Sequence, residues 1–288
     1  MINKDLLSRI EEGIPGFSKG QKQIARYIME HYEQAAYMTA AKLGALVGVS
    51  ESTVVRFANE LGFDGYPELQ RGLQELIRTR LTSFERMEVA NRLMSEDEVL
   101  DKVLLADAEK IKHTLENTTR QAFAGAVEKL LHARHIYIMG VRSSATLAGF
   151  LNHNFQVVFD NVKHVQTTSG SEMFEQIMSI GAEDVMIAIS FPRYSKRIIR
   201  AVDFAKHAGA DVITLTDAET SPIAPQASQL LIAKSDMASF VDSLVAPLSI
   251  VNAIIVAVSL KKQEEVSLRL RQLEKIWDEY DVYDKNQG

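Results

Sequence analysis

The segment Thr39–Leu61 reads TAAKLGALVGVSESTVVRFANEL and predicts two short helices joined by a tight turn. Gly48 can supply the positive φ angle that a helix-ending turn requires, and Ser50 is placed to cap the second helix by accepting one of its first amides. This pattern is typical of a helix-turn-helix. The side chains predicted to pack inward are Leu43, Leu46 and Val47 in the first helix and Val54, Phe57, Ala58 and Leu61 in the second.

The outward face of the second helix carries small hydroxyl side chains at its start and an arginine one turn later. Hydroxyl groups in that position can approach base edges and phosphates, and Arg56 can reach guanine or the DNA backbone. We therefore predict a recognition helix, although an ordinary αα-hairpin would show the same apolar pattern. The residues predicted to contact DNA are Ser50, Ser52, Thr53, Arg56, Lys19, Lys42 and Tyr66.

Basic and acidic residues are balanced across residues 42–80, so one copy of such a domain would bind DNA weakly. We expect a homodimer or homotetramer that presents two recognition helices to a pseudo-palindromic double-stranded operator. The half-sites of that operator would lie one helical turn, or a multiple of it, apart.

The composition of the chain fits a two-domain globular protein: it has 288 residues, of which 46% are hydrophobic, and a net charge of −6. Cysteine is absent and the histidines form no i, i+4 pair, so we expect neither disulfides nor a metal site. Residues 1–13 contain no apolar signal segment. We expect a cytoplasmic protein that holds no cofactor.

One apolar stretch, residues 240–260 (FVDSLVAPLSIVNAIIVAVSL), is nearly long enough to span a bilayer. Asp242, Pro247, Asn252 and three serines interrupt it. We therefore predict a buried helix between a sheet and a partner subunit, and no membrane contact.

Residues 135–234 contain short apolar segments separated by stretches with helical spacing, which is the pattern of βαβ units. The five predicted strands are His135–Gly140, Lys163–Thr168, Asp184–Ser190, Asp211–Thr216 and Gln229–Lys234. The predicted order is an all-α helix-turn-helix domain at 1–80, a helical linker at 81–124 and an α/β domain at 125–288. The α/β domain would hold a doubly wound, mostly parallel five-stranded sheet between two layers of helices.

An amphipathic helix is predicted within residues 91–134, where Ser95 and Glu98 form a capping-box pattern. It is equally compatible with a connector packed on the α/β domain and with a dimer contact. The residues of its apolar face are Leu100, Val103, Leu104, Ala108, Ile111 and Leu115.

Two predicted strands are followed directly by loops rich in hydroxyl groups and arginine, at 140–145 (GVRSSA) and 190–195 (SFPRYS). Ligands of open parallel sheets bind beyond the carboxyl ends of the strands, where helix starts offer free amides to an anion. Arg142 and Arg193 would add bidentate positive charge. The alternatives are that Ser144 and Ser195 are simple helix caps and that the arginines pair with protein carboxylates.

The amino-terminal region resembles the DNA-binding half of the RpiR family, which are bacterial regulators of sugar catabolism. The resemblance covers about residues 1–80 and implies a DNA-binding protein. The segments that carry it are Phe17–Lys19, Gln23–Ile28, Ala40–Leu43, Val49–Phe57 and Leu61–Tyr66.

About residues 125–265 resemble the sugar-isomerase (SIS) domain, the phosphosugar-binding fold that forms the other half of RpiR-type regulators. Its first loop reads Gly-x-Gly-x-Ser, and its second reads Ser-x-Ser-Gly-x-Thr. The phosphate contacts that this resemblance implies are Ser144, Ser190 and Ser195, with Ser143 as a neighbour. In this chain Arg142 replaces a glycine of the first loop, while Pro192 and Arg193 replace the inner Ser-Gly of the second. We predict a retuned anion site, whose ligand carries a second acidic group or places its phosphate differently.

These features together predict a transcription regulator of carbohydrate catabolism whose operator affinity is controlled by a phosphorylated sugar or a similar anionic metabolite. The alternative on the same fold is a phosphosugar isomerase, for which Glu172, Glu175 and His153 are candidate bases. A third alternative is an adaptor with a vestigial pocket. The attached helix-turn-helix favours sensing over catalysis.

Overall fold

The computed structural model describes residues 6–80, 82, 84–88, 96–237 and 241–283. The chain forms two compact units, Met1–Val99 with Met237–Asp242 and Leu100–Asp236 with Ser243–Gly288. The first is helical and the second is α/β, in agreement with the predicted fold class.

The helical unit has its own apolar core, built by Leu43, Val54, Phe57 and Leu73 together with residues of the first two helices. Its capping signals come from the sequence, because Ser18, Thr39 and Ser50 each accept an amide at the start of the helix that follows. Its helices are α1 (Leu6–Gly13), α2 (Lys19–Ala35), α3 (Ala40–Val47), α4 (Glu51–Glu60), α5 (Tyr66–Arg80) and α6 (described at 84–88).

The turn between α3 and α4 has the geometry that its glycines predict. Gly48 ends α3 with φ at +75°, and a Cβ atom on Gly44 would lie 2.8 Å from the backbone oxygen of Val49. Leu46, predicted to pack inward, is instead 56% exposed. That prediction was wrong, because the buried face of α3 consists of Ala40, Leu43 and Gly44.

The α/β unit contains a five-stranded sheet in the order β2-β1-β3-β4-β5, in which every strand pair is parallel. The strands are β1 (Ile136–Gly140), β2 (Val162–Val165), β3 (Val185–Ile189), β4 (Asp211–Thr216) and β5 (Gln229–Ile232). β2 ends three residues before its predicted end, because the side-chain amide of Gln176 bonds both backbone groups of Gln166.

Helices cover both faces of this sheet and produce the predicted three layers. One face packs against α8, α9 and α12 around Ile138, Phe155 and Ile254. The other packs against α10 and α11 around Met139, Met173 and Val202. The helices of the unit are α7 (Val99–Asn117), α8 (Arg120–His132), α9 (Ser143–Val158), α10 (Gly170–Ile177), α11 (Lys196–His207), α12 (Val245–Lys261) and α13 (Gln263–Glu279).

Helix α7 belongs to the α/β unit from Leu100 onward, so the unit boundary lies inside the predicted linker. Its buried side is polar: Thr114 accepts from the amide of Lys234, and Thr118, directly after the helix, donates to the carbonyl of Ile232. These bonds attach α7 to the end of β5. Ser95, the predicted cap, lies outside the described residues.

Within the described chain, no helix alone is long and apolar enough to span a membrane. Only α12 and α13 taken together reach that length and hydropathy, and they are bent by 99° from each other. The apolar stretch predicted at 240–260 forms α12, whose Ile250 and Ile254 pack on the sheet. Phe240 lies outside the described residues.

Candidate DNA-binding and effector sites

The start of α4 presents a cluster of hydroxyl groups to solvent. The Ser50 hydroxyl lies 2.9 Å from both the Ser52 and the Thr53 hydroxyl, and it caps the helix by accepting the Thr53 amide. The Arg56 guanidinium extends back along the helix and donates to the Ser52 carbonyl at 3.3 Å. This face therefore offers hydrogen-bond donors and a positive charge at the end of the helix where the dipole favours an anion.

The first turn of α2 lies against the same face of α4. A Cβ atom on Gly20 would lie 3.2 Å from Val49 and 3.3 Å from Thr53. This close approach puts the first turn of α2, which Lys19 begins, beside Thr53. Lys19 and Lys42 are both exposed, whereas Thr53 is half-buried.

Tyr66 has a different role from the one predicted. Its side chain is 3% exposed, and its hydroxyl lies 3.1 Å and 3.0 Å from the carbonyl oxygens of Ala35 and Met38. Burial raises its pKa to about 12. Tyr66 thus fixes the start of α5 against the end of α2, and the prediction that it contacts DNA was wrong because the ring lies in the core.

In the α/β unit, the loops after β1 and β3 leave the same edge of the sheet. β1 and β3 are neighbours, with Gly140 paired to Ile189. The chain proceeds from β1 to one side of the sheet and from β3 to the other, so the two loops flank a topological switch point. This is the place where open α/β sheets bind ligands.

Two serines in these loops are buried, and their hydroxyls bond no described protein group. Ser144, in the first turn of α9, and Ser190, directly after β3, are each 4% exposed. No hydrogen bond joins either hydroxyl to a described protein group. Neither oxygen is among the described fully buried atoms without a partner, so each keeps some access to solvent. These two hydroxyls are therefore available to a ligand. Ser143, the first residue of α9, is exposed.

The backbone at the start of α9 comes unusually close to the end of β1. A Cβ atom on Gly140 would lie 2.3 Å from the backbone oxygen of Ser144. Only glycine fits there without a backbone shift, so Gly140 sets the position of Ser144.

The loop after β3 is held by contacts with its neighbours. Ser195 is the N-cap of α11, because its hydroxyl accepts the amide of Arg197. The Arg197 guanidinium donates to the Thr167 carbonyl at 3.0 Å, and the Tyr194 hydroxyl donates to buried Asp217 at 2.8 Å. The loops after β2, β3 and β4 are thus tied together at one edge.

Arg142 and Arg193 occupy unusual backbone conformations. Their φ angles are +56° and +64°, and the only other described non-glycine residue with a positive φ is Asp281. Both side chains are exposed. The Arg142 guanidinium has no partner within the described part of the chain, so pairing with a described protein carboxylate does not explain its presence.

Sequence comparison identifies both halves. Residues 4–79 match the helix-turn-helix domain of the rpiR family, and residues 129–257 match the SIS domain. The chain belongs to the RpiR family of transcriptional regulators.

Relatives of this RpiR regulator match nearly its whole length. An uncharacterized HTH-type transcriptional regulator of Caldanaerobacter subterraneus is 26% identical over 274 residues, which covers 91% of this chain and 93% of the relative. The regulator HexR of Pseudomonas aeruginosa is 25% identical over 280 residues and 94% of either chain. The predicted regulator class is confirmed.

Solved structures confirm the fold of the RpiR regulator. The sugar isomerase domain of an RpiR transcription factor from Sphaerobacter thermophilus is 26% identical with a TM-score of 0.59, and the match covers 62% of this chain and 99% of that one. The Vibrio vulnificus NanR protein, solved in complex with ManNAc-6P, is 20% identical with a TM-score of 0.59 over 96% and 98% of the two chains.

Sequence reasoning missed several residues of the RpiR regulator's sheet edge. Tyr194, Arg197 and Asp217 fix the loops but belong to no phosphate-loop pattern. The Tyr194–Asp217 bond joins positions 23 residues apart, and only the strand order brings them together.

Proposed function

We propose that this regulator binds its operator through the exposed face of α4 and that a phosphorylated sugar, or a related anion, held at the carboxyl edge of the sheet controls operator affinity. The observation that carries the effector site is the pair of buried serines at the switch point, Ser144 and Ser190, whose hydroxyls bond no described protein group. Ser143, Ser195, Arg142 and Arg193 complete the proposed contacts.

The chemistry of this edge suits an anion bearing hydroxyl groups. The helices α9 and α11 both begin there, and the free amides of a helix start favour phosphate. NanR, which shares the fold, was solved with a phosphosugar. A sugar phosphate therefore fits both the donor set and the fold.

A thermal-shift screen of sugar phosphates tests the effector class, since a ligand at 100 times its Kd stabilises the protein by about 2.7 kcal/mol. For a compound that binds, we expect Ser190→Ala and Ser144→Ala each to weaken affinity by roughly tenfold or more, the loss expected for a hydrogen bond to a charged group. Ser267→Ala, on α13, is the matched control. Full affinity in both loop variants would contradict the proposed site, and no shift with any sugar phosphate would favour the adaptor alternative.

For DNA, the proposed contacts are Ser50, Ser52, Thr53, Arg56, Lys19 and Lys42. We expect Arg56→Ala to weaken binding to the operator by about 10-fold or more, consistent with about 1–3 kcal/mol for a bidentate contact. Arg71→Ala, an exposed arginine on α5, is the control. Equal effects of the two substitutions would assign Arg56 a general electrostatic role only.

A pseudo-palindromic operator requires an assembly with two α4 helices, which we propose is a homodimer or homotetramer. Helix α7 supports this, because Leu100, Leu104 and Leu115 are 70%, 60% and 59% exposed on one face. A run of exposed leucines of this size marks an interface. Leu104→Glu should lower the oligomer mass measured by analytical ultracentrifugation, whereas Lys102→Glu, on the other side of α7, should leave it unchanged.

We also propose that the protein catalyses no isomerisation and acts in the cytoplasm, where an operator is found. Glu172, a candidate base, accepts a hydrogen bond from the Thr167 hydroxyl at the start of α10. That contact is a local turn and helix-start interaction. Incubating the pure protein with the sugar phosphates that bind it, and following aldose–ketose conversion by NMR, tests this directly; any turnover above the buffer rate would establish an enzyme.

A further inference from the structure

The two arginines in the loops after β1 and β3 hold backbone conformations that cost free energy. A non-glycine residue in such a region is destabilised by about 1–3 kcal/mol. Arg142, with φ +56° and ψ −129°, lies where glycine is the ordinary occupant. Arg193 has φ +64°. Two of the three described non-glycine residues of this kind lie in the two loops of one site, which indicates that their side chains have a use there.

The positions of the arginines differ from those of the phosphate donors. Ser144 and Ser190 are buried, whereas Arg142 and Arg193 are exposed. The arginines therefore lie at the rim of the site, with the hydroxyls and helix starts deeper. Because β1 and β3 are adjacent, the two arginines follow neighbouring strands at the same edge of the sheet.

The named charges at this edge are three arginines against two carboxylates, so their sum is positive. Of the nearby groups, Glu172 is bonded to Thr167, Asp217 is buried and bonded to Tyr194, and Arg197 is bonded to the Thr167 carbonyl. Arg142 keeps five N–H donors without a described protein acceptor. A single phosphate bound by hydroxyls and helix amides would leave this donor capacity unused.

We propose, resting on the effector function above, that the effector carries a second anionic group and that Arg142 and Arg193 select for it. The chemical class is a phosphorylated sugar acid or a sugar bisphosphate: the phosphate binds at Ser144 and Ser190, and the second anion pairs with the guanidinium groups. Arginine suits this role because its planar fork binds carboxylate and phosphate bidentately.

Two matched ligand pairs test the proposal: glucose 6-phosphate against 6-phosphogluconate, and fructose 6-phosphate against fructose 1,6-bisphosphate. Binding to the full-length protein is measured by calorimetry. We expect the second member of at least one pair to bind at least 10-fold more tightly. The pair that shows this preference distinguishes a carboxylate from a second phosphate as the selected group.

The variants Arg142→Gly and Arg193→Gly suit the observed backbone, so they should fold. We expect each to reduce the preference toward equal binding, because the affinity for the doubly anionic member falls at least 10-fold more than the affinity for the singly phosphorylated member. Arg200→Gln, an exposed cation farther along α11, controls for net charge, and Asp281→Gly, the third positive-φ residue, controls for relieved backbone strain. Both controls should keep the preference of the wild type.

The outcomes separate this inference from the function on which it rests. Equal binding of both members of each pair, or an equal loss for both members in the arginine variants, would overturn the selection of a second anion and leave the sugar-phosphate effector standing. If wild type binds none of the four compounds at millimolar concentration, the proposed effector class and this inference both fail.

Discussion

The two edges of the central sheet are built in opposite ways. At the amino edge, Asp184 is buried and accepts from Arg134 at 2.9 and 2.6 Å, from His135 at 3.2 Å and from the Gly181 amide at 2.8 Å. At the carboxyl edge, Ser144 and Ser190 lack described partners, and two arginines hold strained backbone. The first edge has its buried polar groups satisfied, and the second keeps them available.

This contrast indicates that the amino edge of the sheet stabilises the α/β unit and that the carboxyl edge serves function. Charge pairs and satisfied hydrogen bonds fix the starts of β1 and β3, so that the ends of the same strands can carry unsatisfied groups. If this division is correct, substitutions at the two edges should move stability in opposite directions.

The largest effect is expected at the amino edge. Asp184→Ala should lower the free energy of unfolding by about 3 kcal/mol, since it removes a buried carboxylate and leaves the Gly181 amide and the His135 ring without their acceptor. Denaturant unfolding measures the change. Asp160→Ala is the control, because that carboxylate is 87% exposed in its pair with Arg269 and should change stability by less than about 0.5 kcal/mol. Similar losses in the two variants would remove the contrast.

Acid should weaken the same edge. Burial raises the pKa of Asp184, but hydrogen bonds from Arg134, Gly181 and His135 and the charge of Arg134 lower it further, to about 2 from its ordinary value of 3.8. The folded pKa is depressed, so this contribution to stability is present above pH 3.8 and is lost as the pH falls toward 2. We expect a loss of about 2 kcal/mol from this group. Unfolding curves across that range should be flatter for Asp184→Asn than for wild type; identical slopes would contradict the assignment.

The smallest effect, of opposite sign, is expected at the carboxyl edge. Arg142→Gly should raise the free energy of unfolding by about 1 kcal/mol, because relief of the positive φ outweighs the added freedom of glycine in the unfolded chain. Arg142→Ala keeps the strain and loses the charge, so it should not stabilise. Measured together, these variants separate backbone strain from charge, and a loss of stability in Arg142→Gly would mean that the arginine packs usefully.

The sequence predicted the architecture because the relevant signals are local. Gly48 and Ser50 encode the turn of the helix-turn-helix, and the apolar runs of β1, β3 and β4 encode buried parallel strands. The loops after β1 and β3 were predicted at one edge because the carboxyl ends of parallel strands meet there, and Ser144 and Ser190 do follow neighbouring strands at that edge. The effector and DNA contacts themselves stay predictions.

What the sequence could not predict depends on contacts between distant segments. Tyr66 was predicted to contact DNA, but its hydroxyl donates to carbonyl oxygens 28 and 31 residues earlier in the chain. Leu46 belongs to an apolar pattern, yet the buried face of α3 runs through Gly44. The positive φ angles of Arg142 and Arg193 could not be predicted from the sequence, because glycine is the residue that normally adopts a positive φ.

The position of the strands along the chain also sets the order in which the two units can fold during synthesis. The core of the helical unit draws mainly on residues 6–77, whereas the sheet cannot close until β5, at 229–232, has left the ribosome. Domains generally fold as units during synthesis, amino-terminal first. The ribosome adds roughly 5–20 residues per second. In a nascent chain of this regulator, the α4 surface is therefore nearly complete several seconds before the effector site can form.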